Sequence, residues 1–253
     1  MSGQQSSTTI VSSRVDSAEH ARIAGVSSLA EPQRRALYRF VVSHGDAVGK
    51  DEAAEAMGVA RSVAGFHLDR LVADGLLTTE YRRLTGRQGP GAGRPAKLYR
   101  RAAGELSVSL PSRHYDVAAA LLATAITDAI HTGRPVEEVL HEVATSRGCE
   151  VGALAREEAG TQASRRALVE AALGALEDNG YEPRSRGREV VLANCPFHAL
   201  VEDQRELVCG MNLDLLSGMA DALGDDVLTA RLEPSDDTCC VRLDTSRRSR
   251  TGR

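Results

Sequence analysis

Apolar residues recur at helical spacing in three successive segments before residue 76. The segments are Arg34–Ser43, Lys50–Met57 and Ala60–Asp74. Gly58 and Gly75 follow the second and third segments, where glycine commonly ends a helix. The pattern therefore predicts three short helices joined by tight turns.

The pattern then changes from helical spacing to alternation. Leu76–Leu84 and Ala96–Arg101 alternate as strands do, and Thr85–Pro95 between them holds four Gly and two Pro. Three helices followed by a hairpin have the order of a winged helix-turn-helix. We therefore expect a winged helix-turn-helix domain over residues 30–103.

The second half of the chain mixes helical and strand patterns. Arg113–His131 is Ala-rich and apolar around much of its circumference, which predicts a buried helix that packs on a second copy of the chain. We assign residues 104–134 to this dimerisation helix and residues 135–245 to an α+β sensor domain. Further helices are predicted over Val136–Ser146, over Ser164–Asn179 and after His198, and strands over Glu189–Ala193, Val227–Leu232 and Cys239–Leu243.

Composition supports a mainly helical α+β protein. The 253 residues are 42% hydrophobic and 26% charged, and only 3% are aromatic. No apolar run of about 18 residues occurs and the N-terminus is polar, so we expect neither a membrane span nor a secretory leader, and a cytoplasmic location. Residues 1–29 and 246–253 are predicted to be disordered tails, with a short helix near Ala18–Ile23 as the one exception in the first of them.

Charge is divided unevenly along the chain. Residues 31–103 carry 13 Lys and Arg against 8 Asp and Glu, whereas residues 104–253 carry 16 against 25. The stretch Tyr81–Arg101 has seven basic residues and no acidic one. A basic segment of this kind suits a polyanion, although a solvated linker would show the same composition.

The third helix is the candidate for reading DNA. In a helix-turn-helix the second helix of the pair enters the major groove with its N-terminal residues against base edges. Arg61 is the strongest candidate for a base contact, with Ser62 beside it at the start of the helix, and Gly65, Phe66 and His67 are predicted to continue this free face. Two alternatives stay open: His67 packs beside Leu68, and Phe66 lies in the core. Val63 is expected to point inward.

The Gly-rich loop is the candidate wing. Arg87, Arg94 and Lys97 would neutralise phosphates or enter a narrow minor groove. The Gly-Arg-Pro sequence at 93–95 resembles the core of AT-hook peptides. Residues 58–77, with their His-Leu and Gly-Leu pairs, are similar to the recognition region of ArsR-like bacterial repressors. Double-stranded DNA is therefore the expected partner.

Four of the five cysteines fall within one window of the second half. Cys195, Cys209 and the pair Cys239-Cys240 have the spacing Cys-x13-Cys-x29-Cys-Cys. Cysteine also serves as a small core residue, so this spacing alone does not decide between packing and metal binding. Because they lie on a loop, a helix and a strand, these thiolates could converge as soft ligands for iron-sulfur or zinc.

The same residues carry a narrower resemblance. Asn194–Leu200, Glu206–Cys209 and Cys239–Leu243 resemble the C-terminal signature of SufR-type iron-sulfur regulators, whose DNA-binding domain is ArsR-like. The resemblance implies a homodimeric repressor that senses iron-sulfur status, oxidative stress or nitric oxide. It implies Cys195, Cys209 and Cys239 as ligands, with a 4Fe-4S cluster favoured over 2Fe-2S.

Two departures from that signature bear on the ligand set. Gly210 stands where many members carry an acidic residue, and the doubled Cys239-Cys240 makes the third ligand ambiguous. The candidates for a fourth ligand are His198, Cys240 and Cys149, in that order, and a small-molecule thiol or a vacant iron site stays open as well. For Cys149 a structural thiol is the favoured alternative, whereas for His198 ligation and a hydrogen-bonded role without ligation are equal alternatives.

Two other functions remain open on sequence grounds. The first keeps this architecture and replaces the cluster with zinc or a bare thiol switch. The second is a thiol-dependent enzyme with Cys195 as nucleophile and His198 as base. The sequence offers neither an oxyanion motif nor a third orienting residue for such chemistry, so we expect a regulator and no enzymatic activity.

Overall fold

The computed structural model describes residues 20–83, 95–224, 226–235 and 237–245. It is an α+β protein, mainly helical, with two small antiparallel sheets. The chain divides into two compact units, and the division lies between Val108 and Ser109. None of the helices in these ranges has both the length and the apolarity needed to span a lipid bilayer.

The first unit contains four helices and a three-stranded sheet. A helix over residues 20–28 (α1) precedes the rest. The remaining elements are α2 (Pro32–Ser43), β1 (Val48–Gly49), α3 (Lys50–Met57), α4 (Arg61–Ala73), β2 (Leu77–Arg82) and β3 (Ala96–Arg101). The sheet has the order β1-β3-β2, and β2 pairs with β3 from Leu77 opposite Arg101 to Arg82 opposite Ala96.

Local chemistry sets the bounds of these helices. The Glu31 carboxylate accepts hydrogen bonds from the backbone N–H groups of Gln33 and Arg34 and so caps the start of α2. Gly58 and Gly75 adopt φ of +63° and +74° directly after α3 and just beyond α4. A residue with a Cβ rarely adopts this conformation, so the two turns depend on glycine.

In the second unit, two helices pack on a third helix, which itself packs along the long final one, and a four-stranded sheet completes the unit. Its elements are α5 (Tyr115–Thr132), α6 (Val136–Ala159), α7 (Arg165–Asp178), β4 (Pro183–Arg186), β5 (Glu189–Leu192), α8 (His198–Leu223), β6 (Thr229–Leu232) and β7 (Val241–Asp244). The sheet has the order β4-β5-β7-β6. Helix α8 has a kink at Gln204, where the backbone leaves helical geometry.

The pair α6 and α8 forms the centre of this unit. A Cβ added to Gly148 would lie 1.8 Å from the carbonyl oxygen of Leu215, and one added to Gly218 would lie 2.1 Å from that of Thr145. The two backbones therefore approach more closely than helices that present larger side chains at their contact. Gly152 makes the same kind of approach to Met219.

Several predictions of elements differ from the structure. Helix α6 continues to Ala159, not Ser146, because its glycines pack against α8 instead of ending the helix. The polar edge strand β4 and the two-residue β1 were not predicted. Residues 20–28 are helical, with Gly25 and Ser28 buried; this helix overlaps the short one expected near Ala18–Ile23 and extends beyond it, where disorder was expected. Helix α5 lies within the second unit.

Candidate thiol centre and nucleic-acid interface

Four cysteines come together in the second unit from three places in the chain. Cys195 lies in the turn between β5 and α8, Cys209 lies in α8, and Cys239 and Cys240 directly precede β7. All four are at least 92% buried, and Cys239 is 99% buried. Within the described chain, hydrogen bonds connect these four thiols to one another.

The turn that holds Cys195 is fixed by its neighbours. The side-chain amide of Asn194 donates hydrogen bonds to the carbonyl oxygens of Gly180, at 2.6 Å, and Ser112, at 2.9 Å. Arg113 donates to the Asn194 side-chain oxygen and to the carbonyl oxygen of Cys195. The turn is thereby joined to residues 112–114, immediately before α5.

The thiols form a connected network. Cys195 is hydrogen-bonded to Cys239, Cys239 to Cys240, and Cys240 to Cys209. The hydrogen bond with Cys239 lowers the pKa of Cys195, and the same neighbour lowers the pKa of Cys240 to about 6. Burial raises the pKa of Cys209 to about 12, and the hydrogen bond with Cys195 raises that of Cys239.

These opposite pKa shifts divide the network into two kinds of thiol. Cys195 and Cys240 accept hydrogen bonds and lose their protons most easily. Cys209 and Cys239 keep theirs. A thiolate is the form that binds metals and attacks electrophiles, so two of the four sulfurs are prepared for either reaction.

A buried polar pair supports the sulfurs. The Asn212 amide donates a hydrogen bond of 3.1 Å to Cys239 Sγ and a further one to the Cys240 sulfur. The Tyr181 hydroxyl donates to the Asn212 side-chain oxygen. Asn212 is fully buried and Tyr181 is 97% buried, so their polar groups are satisfied inside this centre.

The chemistry of these donors fits a soft metal centre. Four buried thiols with an amide hydrogen-bond donor beside them are ligands typical of iron-sulfur clusters or zinc. Over the ranges that the structure describes, no three Cys, His, Asp or Glu side chains are placed to enclose one metal ion. The four thiols therefore do not form a preformed cage around an ion.

The candidate ligands His198 and Cys149 lie apart from the four thiols. His198 is exposed at the first residue of α8, while Cys240 is inside the thiol network. Cys149 is half-buried within α6, where its backbone nitrogen faces the close approach of Gly218. Cys240 thus replaces His198 as the best candidate for a fourth ligand.

The candidate DNA-facing residues gather in a cleft of about 950 Å³ between α3, α4 and β3. Arg61, Ser62, Gly65 and Lys97 all line it. The two basic side chains of this set, Arg61 and Lys97, each form an ion pair with a carboxylate. Arg61 pairs with Asp51, and Lys97 pairs with Asp69 at 2.6 Å.

Two aromatic residues of α4 occupy different sides of the helix. His67 is 92% buried, which does not fit a base contact and agrees with the alternative of packing beside Leu68. Phe66 is 65% exposed, which agrees with its predicted place on the free face and not with the alternative that it lies in the core. Val63, predicted to point inward, is exposed at 36%. Ala64 occupies the inward position instead.

The candidate wing residues fall partly outside the described chain. Arg87 and Arg94 lie in the stretch 84–94, which is not among the described residues, and the basic tail 246–253 is also outside them. Lys97 is the wing residue that the structure places.

Sequence reasoning missed two residues of the thiol centre, Asn212 and Tyr181. Asn212 carried a weak signal, because a lone amide in the apolar stretch Val208–Met219 has to find a hydrogen-bond partner once buried.

No protein-family model, curated protein or solved structure matches this chain.

Proposed function

We propose that this chain is a homodimeric, SufR-type transcriptional repressor of the cytoplasm whose operator binding is controlled by an iron-sulfur cluster. The observation that carries the proposal is the convergence of four buried thiols from a turn, a helix and a strand end. The helix-helix-helix-hairpin order of the first unit supports a winged helix-turn-helix.

Cys195, Cys209 and Cys239 would hold the cluster, with Cys240 as the fourth ligand. A bound cluster supplies a centre that gains or loses an electron and reacts with oxidants or nitric oxide. Cys195 and Cys240 contribute the thiolates that form most readily, and Asn212 holds the vicinal pair in place by donating to both sulfurs. The surrounding apolar core excludes water from the sulfurs.

The Cys195 turn offers a route by which the state of the centre could reach α5. Arg113 and Asn194 tie that turn to residues 112–114, and the His114 N–H donates to the Pro196 carbonyl oxygen at 3.1 Å. A displacement of the Cys195 turn would be passed through these bonds to the start of α5. Only a few kcal/mol of difference between two states is needed to change operator occupancy substantially.

Helix α5 is the proposed dimer surface. Ala118, Leu121, Ala125 and Ala129 face the core, whereas Ile126 and Ile130 are 47% and 76% exposed. Tyr115 and Ala119 continue the exposed side toward the start of the helix. A second copy of α5 placed on this side would bury the apolar stripe that the fold leaves in solvent.

On the DNA side, α4 is the proposed recognition helix. Arg61 and Ser62 are exposed at its first turn, where a recognition helix meets base edges. The Arg61 guanidinium would exchange Asp51 for a base or phosphate. We expect Arg61→Ala to weaken binding to the operator more than to random DNA, and Arg87→Ala to weaken both equally and reduce the salt dependence.

The cluster assignment is tested with serine variants. Cys195→Ser and Cys209→Ser should each abolish the visible absorbance and the bound iron and sulfide of anaerobically prepared protein, while circular dichroism stays unchanged. Cys149→Ser is the matched control, because Cys149 lies outside the thiol network, and it should keep the chromophore. Full absorbance in both Cys195→Ser and Cys209→Ser would contradict the ligand set.

The second candidate function keeps the architecture and uses zinc or a thiol switch. The hydrogen bond between Cys195 and Cys239 favours it, because two such thiols are close enough to react with each other after oxidation. Metal analysis separates the cases: iron with sulfide supports the cluster, zinc alone supports a zinc site, and neither supports the thiol switch.

A further inference from the structure

Phe66 presents an aromatic ring to solvent near the middle of the free face of α4. The residue is 65% exposed, whereas Ala64, Leu68 and Leu71 on the other side are fully buried. At 3.6 residues per turn, Ser62, Phe66 and Asp69 share the sector opposite that buried stripe. The ring therefore occupies the position from which a recognition helix meets its target.

Contacts within the fold fix only one edge of the ring. Phe66 meets the imidazole of His67 edge to face, with centroids 5.3 Å apart and planes at 69°. This contact holds the aromatic side chain near the helix and leaves most of the ring in water. The remainder of the ring is available to a partner.

Gly65 leaves space beside the ring for a partner to approach. A Cβ at this position would meet only a side-chain carbon of Lys50, 4.0 Å away, so packing does not require glycine here. Glycine inside a helix is destabilising compared with alanine. The missing side chain exposes the helix backbone next to Phe66, where a bulky partner such as a duplex has to come close.

The surroundings of the ring favour DNA over an apolar protein surface. Lys50, Arg61 and Lys97 line the same cleft as Phe66. These cations suit phosphates on either side of a groove, whereas an apolar protein partner would have to bury them. Among the groups that identify bases in the major groove, the thymine 5-methyl is the apolar one, and phenylalanine is a side chain that contacts it.

We propose that Phe66 recognises the 5-methyl group of a thymine in each half of the operator. This inference rests on the proposed DNA-binding function. It makes Phe66 a specificity-determining residue beside Arg61: the arginine supplies a polar contact and the ring selects thymine by its methyl group.

The test uses deoxyuridine, which differs from thymidine only by that methyl group. The full chain first selects duplexes from a random-sequence pool, and each thymine of the selected duplex is then replaced singly by deoxyuridine. We expect the wild type to lose about fourfold in affinity at one thymine per half-site, the factor for removing one buried carbon of this size. Phe66→Ala should bind the thymine duplex more weakly and no longer distinguish the two bases.

Val63→Ala is the matched control, because Val63 is the other exposed large apolar residue of α4. It should keep the discrimination between thymine and uracil. Persistent discrimination in Phe66→Ala, or the absence of any methyl-sensitive position, would overturn the inference while DNA binding stands. An altered sedimentation coefficient in Phe66→Ala with unchanged DNA affinity would assign the ring to a protein contact and overturn it too. Failure of the wild type to bind or select any DNA would refute the proposed function itself.

Discussion

Asn212 is a buried amide whose hydrogen bonds link Tyr181 to the vicinal cysteines. Asn212→Leu would leave the Tyr181 hydroxyl buried without a partner, at a cost of about 1–3 kcal/mol in unfolding free energy. Tyr181→Phe would leave the Asn212 oxygen unpaired at a similar cost. We expect the double variant to lose clearly less than the sum, measured by denaturant unfolding of reduced, metal-free protein. Additive losses would show that the two side chains act independently.

Gly65 allows stability and DNA binding to be separated at one position. Gly65→Ala should stabilise the first unit by about 0.5–1 kcal/mol, because the new methyl group makes no more than an ordinary contact with the Lys50 side chain and alanine favours a helix. It should also weaken operator binding, measured by fluorescence anisotropy, if a duplex approaches the helix there. Gly174→Ala in α7, where a Cβ again meets open space, is the control that should leave DNA binding unchanged. Equal operator affinity for Gly65→Ala and wild type would argue against a close approach at this point.

At the scale of single residues, the sequence identified the cysteines better than the helix faces. Cysteine spacing pointed to Cys195, Cys209 and the pair Cys239-Cys240, and the structure joins all four. The inward face of α4 was harder to predict, because the small residue Ala64 and the polar His67 take inward positions, whereas Val63, which was expected to point inward, is exposed. Burial on a short helix follows the phase of the whole helix and not the polarity of each residue.

Among the elements, α6 and α8 depend on glycine at their contact. Gly148→Ala would place a methyl group against the Leu215 carbonyl, so the two helices must separate. We expect this overpacking to lower the unfolding free energy by about 1–3 kcal/mol. Gly174→Ala, in the same unit, should be neutral or stabilising. A Gly148→Ala protein as stable as the wild type would contradict the close packing of α6 and α8.

The contact between α4 and β3 predicts a pH dependence. Burial raises the pKa of the Asp69 carboxyl, but hydrogen bonds from Lys97 and Tyr99 outweigh it and hold the pKa below its ordinary value. A carboxyl with a depressed folded-state pKa stabilises the fold above its unfolded pKa of about 4 and loses that contribution as the pH falls through its folded pKa. Because the pair is largely solvent-exposed, its contribution is below about 1 kcal/mol.

Asp69→Asn provides the comparison. The stability difference between wild type and Asp69→Asn should stay constant from about pH 8 to pH 5 and shrink below about pH 4, as measured by urea unfolding. Ser62→Ala, a neutral change on the same face, should show no such trend relative to wild type. A difference that grows on acidification would reverse the assigned sign.

Element predictions succeeded where periodicity and turn residues agreed. Lys50–Met57 and Ala96–Arg101 were predicted with their observed bounds. Strand β4 was not predicted, because Arg184, Ser185 and Arg186 are exposed on a sheet edge and show no apolar alternation. The end of α6 was misplaced because glycine commonly stops helices, and only the partner helix reveals why glycine is needed inside this one.

For the whole molecule, the exposed side of α5 predicts the oligomeric state. We expect a solution mass of twice 27.0 kDa for the wild type. Ile126→Glu together with Ile130→Glu should give a single chain of 27.0 kDa, because two carboxylates would be buried in the interface. Leu154→Glu, at an exposed apolar residue of α6, is the control that should leave the mass unchanged in sedimentation equilibrium. A dimer that survives both α5 changes would place the interface elsewhere.

The central claim is that the four thiols of the second unit hold an iron-sulfur cluster, and anaerobic purification tests it most directly. A visible spectrum is combined with iron, acid-labile sulfide and zinc analysis of the same sample. The account predicts a brown protein that absorbs near 400 nm, with iron and sulfide in equal amounts. A colourless protein that contains zinc, or that stays metal-free after anaerobic reconstitution, would contradict the cluster.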